Sequence, residues 1–198
     1  MKVIGLTGGI ASGKSTVSKE MRSLQIPVFD ADEVSRQAVA KGSEGLRLVC
    51  EALGEGYVTP EGTLDRAKVS ARVFHDKAAL RALEGIIHKI VWDEAEKFLA
   101  ACRAQQSPLA VLDVPLLIEC GWHKLVDQVW LVAISQEQQI ERAMQRDGMT
   151  AEEVKARIGA QMSLEDKKQY ADQIIDNSGT LEMTLADVHV KLDRILGE

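Results

Sequence analysis

Apolar residues occur along this chain in two ways. Some form short unbroken runs, and others recur every three or four positions between those runs. The runs are Lys2 to Leu6, interrupted by Gly5, then Ile26-Pro27-Val28-Phe29, Leu109 to Asp113, Val129 to Ile134, and Gln173-Ile174-Ile175. Runs without polar alternation are what parallel strands buried on both faces look like. Between them, Val17, Met21 and Leu24 carry helical spacing from Lys14 to Leu24. The stretch from Val34 to Gln106 reads as mostly helical. Its clearest piece is Lys77 to Arg103, with Leu80, Leu83, Ile87, Ile90, Val91 and Phe98 on one face, and Gly54 to Thr63 forms a Gly/Pro-containing loop before it. Ser135-x-x-Gln138 and Thr150-x-x-Glu153 are capping boxes that open helices toward Arg146 and Gln161. Asp147-Gly148 breaks the first, Ser163 begins a charged stretch, and Asn177-Ser178-Gly179 ends the last strand before a terminal helix from Leu181 to Leu196. Together these elements predict an α/β fold with five parallel strands and helices on both faces.

Composition narrows the class. With 198 residues, 45% of them hydrophobic and 27% charged, the chain is globular rather than disordered. It is long enough to bury about 70% of its unfolded surface without staples. Its 24 basic residues against 30 acidic ones give a net charge of −6, which disfavours nucleic-acid binding through bulk charge. An anionic ligand would need a local site. Three cysteines without a CxxC pair read as free thiols in a reducing compartment. No apolar run nears the roughly 18 residues of a membrane span, and glycines interrupt any signal-peptide core. The expectation is a cytoplasmic protein without membrane attachment.

The strongest local signal is Gly8-Gly9-Ile10-Ala11-Ser12-Gly13-Lys14-Ser15, which matches GxxxxGK[ST] throughout. Glycines let the backbone approach phosphate oxygens, and successive N–H groups turn inward as an anion nest at a helix N-terminus. Lys14 supplies a movable charge to the β- and γ-phosphates, and Ser15 a hydroxyl to Mg²⁺. The expected nucleotide-binding run is therefore Gly8, Gly9, Ala11, Ser12, Gly13, Lys14, Ser15 and Thr16. A chance match comes at roughly the 1% level at average composition, and here the motif also lies between a predicted strand and a predicted helix. The fold class is thus a P-loop three-layer α/β fold.

A P-loop names a nucleoside triphosphate but not its use. A GTPase switch needs NKxD and DxxG, and a transporter-type ATPase needs an interface signature such as LSGGQ. None of these occurs. A small kinase needs an acceptor pocket, a base and a lid, and candidates exist for each. Asp30 and Asp32 follow the second strand, where ligands bind in open α/β sheets. One aspartate can cap the following helix while the other accepts a proton, and Asp32 is the one assigned to chemistry. Asp113 ends an apolar strand in a Walker-B-like position for Mg²⁺. Arg142 and Arg146 share a helix face, near Lys155, Arg157, Lys167 and Lys168. They are candidates to neutralise a transferring phosphoryl group on a lid that excludes water, the alternative being a solvated face of ordinary ion pairs. His88 lies off the main apolar stripe of its helix.

The ordered set of motifs resembles the dephospho-coenzyme A kinase family over nearly the whole chain. It includes Ile4 to Ile10 leading into the P-loop, Asp30-Ala31-Asp32, Leu64-Asp65-Arg66 with Val73-Phe74, and Leu83-Glu84-x-Ile86-Ile87-His88. Further on come Asp113 to Glu119, Arg142-x-x-x-Arg146-Asp147-Gly148, Gln161, Ala171-Asp172 and Ile175 to Gly179. The resemblance implies a nucleotide-binding core (1–33, 107–145 and 170–198), a helical acceptor-binding insertion (34–106) and a lid (146–169). It implies that ATP, with Mg²⁺, phosphorylates the ribose 3′-hydroxyl of dephospho-CoA. In that resemblance Asp32 matches the proposed base, Lys14 and Ser15 the phosphate and metal ligands, Arg142 a lid arginine, and Asn177 a residue near the adenine. Thr7, His88, Leu116 and Leu117 fall with Asp32 in the acceptor pocket. A monomer or weak homo-oligomer is expected. One departure is Lys89, where the family usually has proline after the histidine, so the helix is expected to run straighter here.

Overall fold

Residues 1–197 are described by a computed structural model of the chain, Glu55 through its backbone alone. In chain order the elements begin with β1 (Lys2–Gly8), α1 (Lys14–Ser23) and β2 (Val28–Asp30). Four helices follow: α2 (Ala31–Ala38), α3 (Glu44–Leu53), α4 (Arg66–His75) and α5 (Lys77–Ala104). Then come β3 (Leu109–Asp113), β4 (Gln128–Ala133), α6 (Gln136–Asp147), α7 (Ala151–Gly159), α8 (Leu164–Lys168), β5 (Gln173–Asp176) and α9 (Leu181–Gly197). The chain divides into two units. One comprises residues 1–29 with everything from 102 onward, and the other comprises residues 30–101.

The first unit is built on a five-stranded parallel sheet in the order β2-β3-β1-β4-β5. The register sets Leu6 beside Asp113 on one side and beside Trp130 on the other. β3 is buried at all five positions, as is β4 from Val129 on, because helices cover both faces of these central strands. On one face Ile4, Leu6, Val111, Trp130 and Ile175 pack against Val17 and Met21 of α1 and Val188, Leu192 and Ile195 of α9. The i, i+4 spacing of those helical residues is the stripe expected of a helix lying on a sheet. On the other face Leu117 packs directly onto the strand: a Cβ at Gly5 would stand 2.6 Å from its Cδ2. The glycine that interrupts the first apolar run is therefore where a leucine is seated.

The second unit, residues 30–101, is helical. Side-chain caps start its helices: Asp30 accepts from Glu33 N–H, Ser43 from Leu46 N–H and Asp65 from Lys68 N–H. α3 packs tightly on α2, because a Cβ at Gly45 would overlap the Ala38 carbonyl. α5 is unbroken past the position where proline was absent, and Lys89 pairs instead with Asp93 at 3.0 Å. This unit starts and ends a few residues earlier than the expected 34–106, since α2 follows β2 without a linker and α5 runs on past Ala101. Residues 146–169 fall within the first unit. The charged stretch after Ser163 holds a helix that periodicity does not reveal. α8 has five residues, too few for an apolar repeat, and is marked only by its Ser163 cap on Asp166 N–H. Among the described residues no helix is long and apolar enough to cross a membrane.

Candidate active site

The loop between β1 and α1 takes its shape from two left-handed residues, Ala11 at φ +53° and the N-cap Gly13 at φ +91°. Ser12 N–H donates to Gly9 O at 3.1 Å and Thr16 N–H to Gly13 O at 2.9 Å, closing the turn into the helix. The N–H groups of Gly13, Lys14 and Ser15 donate to no acceptor among the described residues. The buried Ser12 Oγ is also without a partner. Unsatisfied donors at a helix N-terminus are an anion site. Lys14 Nζ meets this loop from the first turn of α1 and donates to Asp113 Oδ1 at the end of β3. The Asp113 side chain is only 2% exposed and that of Lys14 16%, so the pair sets opposite charges together in a buried place. Ser15 and Asp113 offer one hydroxyl and one carboxylate. That donor set suits Mg²⁺ carried in on a nucleotide better than an all-protein cage.

Two amides brace the loop from outside. Gln139 Nε2 of α6 donates to Ile10 O at 3.1 Å, and Asn177 Nδ2, just after β5, donates to Ser12 O at 2.8 Å. A Cβ on Gly9 would overlap the first amide and a Cβ on Gly13 the second, so these glycines admit the braces as well as phosphate. Asn177 in turn accepts from Thr184 Oγ1 at 2.9 Å, and its carbonyl accepts from Arg142 Nη2 at 2.9 Å. Arg142 is thus held beside the loop by a backbone carbonyl rather than by an ordinary surface ion pair. Arg146 instead grips its neighbour Asp147 through two 2.8 Å bonds, which hold that carboxyl below its usual range. Lys155 and Lys168 pair with Glu152 and Glu165 on exposed turns, the ordinary solvated pattern. Neither Gln139 nor Thr184 was singled out from sequence. Thr184 has a signal, as a polar residue on the same stripe as Val188 and Leu192, whereas Gln139 has none.

The segment after β3 is fixed by a buried cation. Lys167 Nζ, its side chain 2% exposed, pairs with Glu119 at 2.9 Å and reaches Pro115 O at 3.4 Å. Pro115 O also accepts from Thr7 Oγ1 at 2.9 Å, and Glu119 accepts from Met162 N–H at 3.1 Å. Thr7 is therefore fully buried and committed to this segment, and Leu117 is fully buried over Gly5. Of the expected acceptor pair only Leu116, 38% exposed, offers a surface. Glu119→Gln, which strands the buried ammonium, should lower stability by about 3 kcal/mol. Lys167→Met should cost less, about 1 kcal/mol, because the 21%-exposed Glu119 can regain water. Urea unfolding of both variants measures that order, and the reverse order would make the contact a packing feature rather than an ion pair.

The remaining expected residues lie in the second unit. Asp30 is the N-cap of α2, accepting from Glu33 N–H at 3.0 Å. Asp32 sits in the first turn, exposed, with no hydrogen bond or ion pair of its side chain among the described residues. His88 is exposed on α5. In the first unit a cleft of about 790 Å³ opens beside α6 and α8, lined by Gln138, Gln139, Ile158, Leu164, Lys168 and Ile174 among others. Gln139, which lines it, is also the residue that donates to Ile10 O of the phosphate loop.

Comparison with known proteins agrees across nearly the full length. The family model of dephospho-CoA kinase matches residues 2–183. A dephospho-CoA kinase of Symbiobacterium thermophilum is 45% identical over 188 residues, covering 95% of this chain and 79% of that one. That of Geobacter sulfurreducens is 44% identical over 182 residues, 92% of each. A crystal structure of a Thermus thermophilus protein superposes with a TM-score of 0.84 at 35% identity, covering 99% of this chain and 96% of that one.

Proposed function

The chain belongs to the dephospho-CoA kinase family, and from that premise we propose that it phosphorylates the ribose 3′-hydroxyl of dephospho-CoA with ATP. The products are CoA and ADP, and the reaction is the last step of coenzyme A biosynthesis. The observation that carries this reading is the loop of residues 8–15, whose N–H groups at Gly13, Lys14 and Ser15 lack acceptors beside an ammonium already counterbalanced by Asp113.

In this reading the loop holds the β- and γ-phosphates, with Thr16 behind it in the first turn of α1. Lys14 and Arg142 stabilise charge spreading over the transferring group. Ser15 and Asp113 hold Mg²⁺, which when bound neutralises phosphate charge. Asp32 takes the proton of the attacking 3′-hydroxyl as the new O–P bond forms and the bond between the γ-phosphorus and the bridging oxygen breaks. That proton passes from Asp32 to water, and ADP leaves with the bridging oxygen. Leu116 and His88 are assigned to the acceptor. Arg146, 61% exposed, is assigned to the nucleotide with Arg142, whereas Thr7, Leu117 and the Asn177 side chain support the site rather than touch ligand, since each is buried. Residues 146–169 act as the lid. The partners are two small molecules met in the cytoplasm.

An acceptor panel tests the proposal. ADP release from ATP and Mg²⁺ is followed with dephospho-CoA, AMP, GMP, shikimate or no acceptor. Dephospho-CoA should accelerate it far above the acceptor-free rate, with one CoA formed per ADP. Faster release with AMP, GMP or shikimate would replace the acceptor assignment, and equal release without acceptor would make the chain a nucleotide hydrolase or switch.

A further inference from the structure

The phosphate loop is conventionally read from its own residues, yet one of its peptides is held by a residue far along the chain. Asn177 is 7% exposed and all of its polar groups are used. Its backbone N–H donates to Ala133 O at 3.0 Å, anchoring it at the end of β4. Its Oδ1 faces the hydroxyl of Thr184, itself fully buried, at 2.9 Å, and Ser12 O, a carbonyl that can only accept, fixes the other end of the amide as the donor. Its Nδ2 therefore points to Ser12 O, at 2.8 Å. A trans peptide sets its N–H opposite its C=O, so drawing Ser12 O toward Asn177 turns the Gly13 N–H away from Asn177. That N–H is one of the donors the loop leaves without an acceptor. The carbonyl of the same residue holds the guanidinium of Arg142. Gly13 closes the logic, because any side chain there would occupy the place of the Asn177 amide.

We propose that Asn177 is a positioning residue of the phosphate site, which orients the Ser12–Gly13 peptide through its amide and Arg142 through its carbonyl without touching the nucleotide with its side chain. This rests on the assignment of ATP to the loop and adds to it a residue outside the P-loop motif. It also reassigns the Asn177 side chain from an adenine contact to the P-loop backbone. The chain Thr184–Asn177–Ser12 makes the orientation of one loop amide depend on a hydroxyl in the terminal helix.

Asn177→Asp is the direct test, since it keeps the shape and puts an acceptor where the donor stood. Its KM for ATP should rise about tenfold or more, the free energy of one buried hydrogen bond turned repulsive, while its KM for dephospho-CoA stays at the wild-type value. Thr184→Val should raise the KM for ATP by a smaller factor, and Thr184→Ser, which keeps the hydroxyl, should restore it. An unchanged KM for ATP in either Asn177→Asp or Thr184→Val overturns the proposal. So does an equal rise for both substrates that tracks a lower melting temperature, which is the behaviour of a merely structural residue. Wild-type protein that takes up no MgATP in calorimetry would instead refute the assignment of the loop, and the two failures are thereby distinct.

Discussion

Asp32→Asn is expected to bind MgATP as the wild type does and to form CoA on the order of 10²- to 10⁴-fold more slowly, the range for losing a positioned proton acceptor. The substitution keeps size and hydrogen-bonding shape and removes only the charge and the basicity. It should not disturb α2, because the N-cap of that helix is Asp30, which accepts from Glu33 N–H. Asp30→Asn is the matched control, since asparagine caps about as well as aspartate and turnover should stay near wild type. Single-turnover measurement separates the two steps. Normal product formation in Asp32→Asn would move the base elsewhere, and an equal loss in Asp30→Asn would trace the effect to the helix terminus instead.

That division of labour between two aspartates shows where reading from sequence stops. Asp30 and Asp32 suit capping equally by residue type, and only the backbone, turning into α2 at Ala31, decides which of them caps. The strands were legible where burial is complete. Leu109–Asp113 is read to the residue because all five positions face other protein atoms and none is polar before the aspartate. The phosphate loop was legible because its demands are local, with positive φ and close backbone approach within eight consecutive residues. What escaped is long-range. The amide of Asn177 meets Ser12 across 165 positions and that of Gln139 meets Ile10 across 129, and no periodicity encodes either. Lys167 read as one basic residue among several on a lid face, yet it is buried against Glu119. Charge counting along a segment cannot distinguish a solvated lysine from an enclosed one, because the difference lies in what folds over it.

Lys14→Ala is expected to lower turnover on the order of 10²- to 10³-fold, as for removal of one well-placed electrostatic donor, and to weaken MgATP binding in calorimetry. It should also destabilise the free protein, since it leaves the 2%-exposed Asp113 without its cation. Loss of activity alone therefore has two possible sources, and a charge-conserving variant separates them. Lys14→Arg retains the pairing with Asp113, so its urea midpoint should return close to wild type. Its planar, wider guanidinium cannot replace a compact ammonium that must leave Asp113 for a phosphate oxygen, so its turnover should remain well below wild type. Stability and catalysis would then respond to different properties of one side chain, the first to charge and the second to shape and reach. Full recovery of turnover in Lys14→Arg would reduce the role of Lys14 to its charge. Wild-type turnover in Lys14→Ala would take it out of the chemistry and leave it as the counter-ion of Asp113.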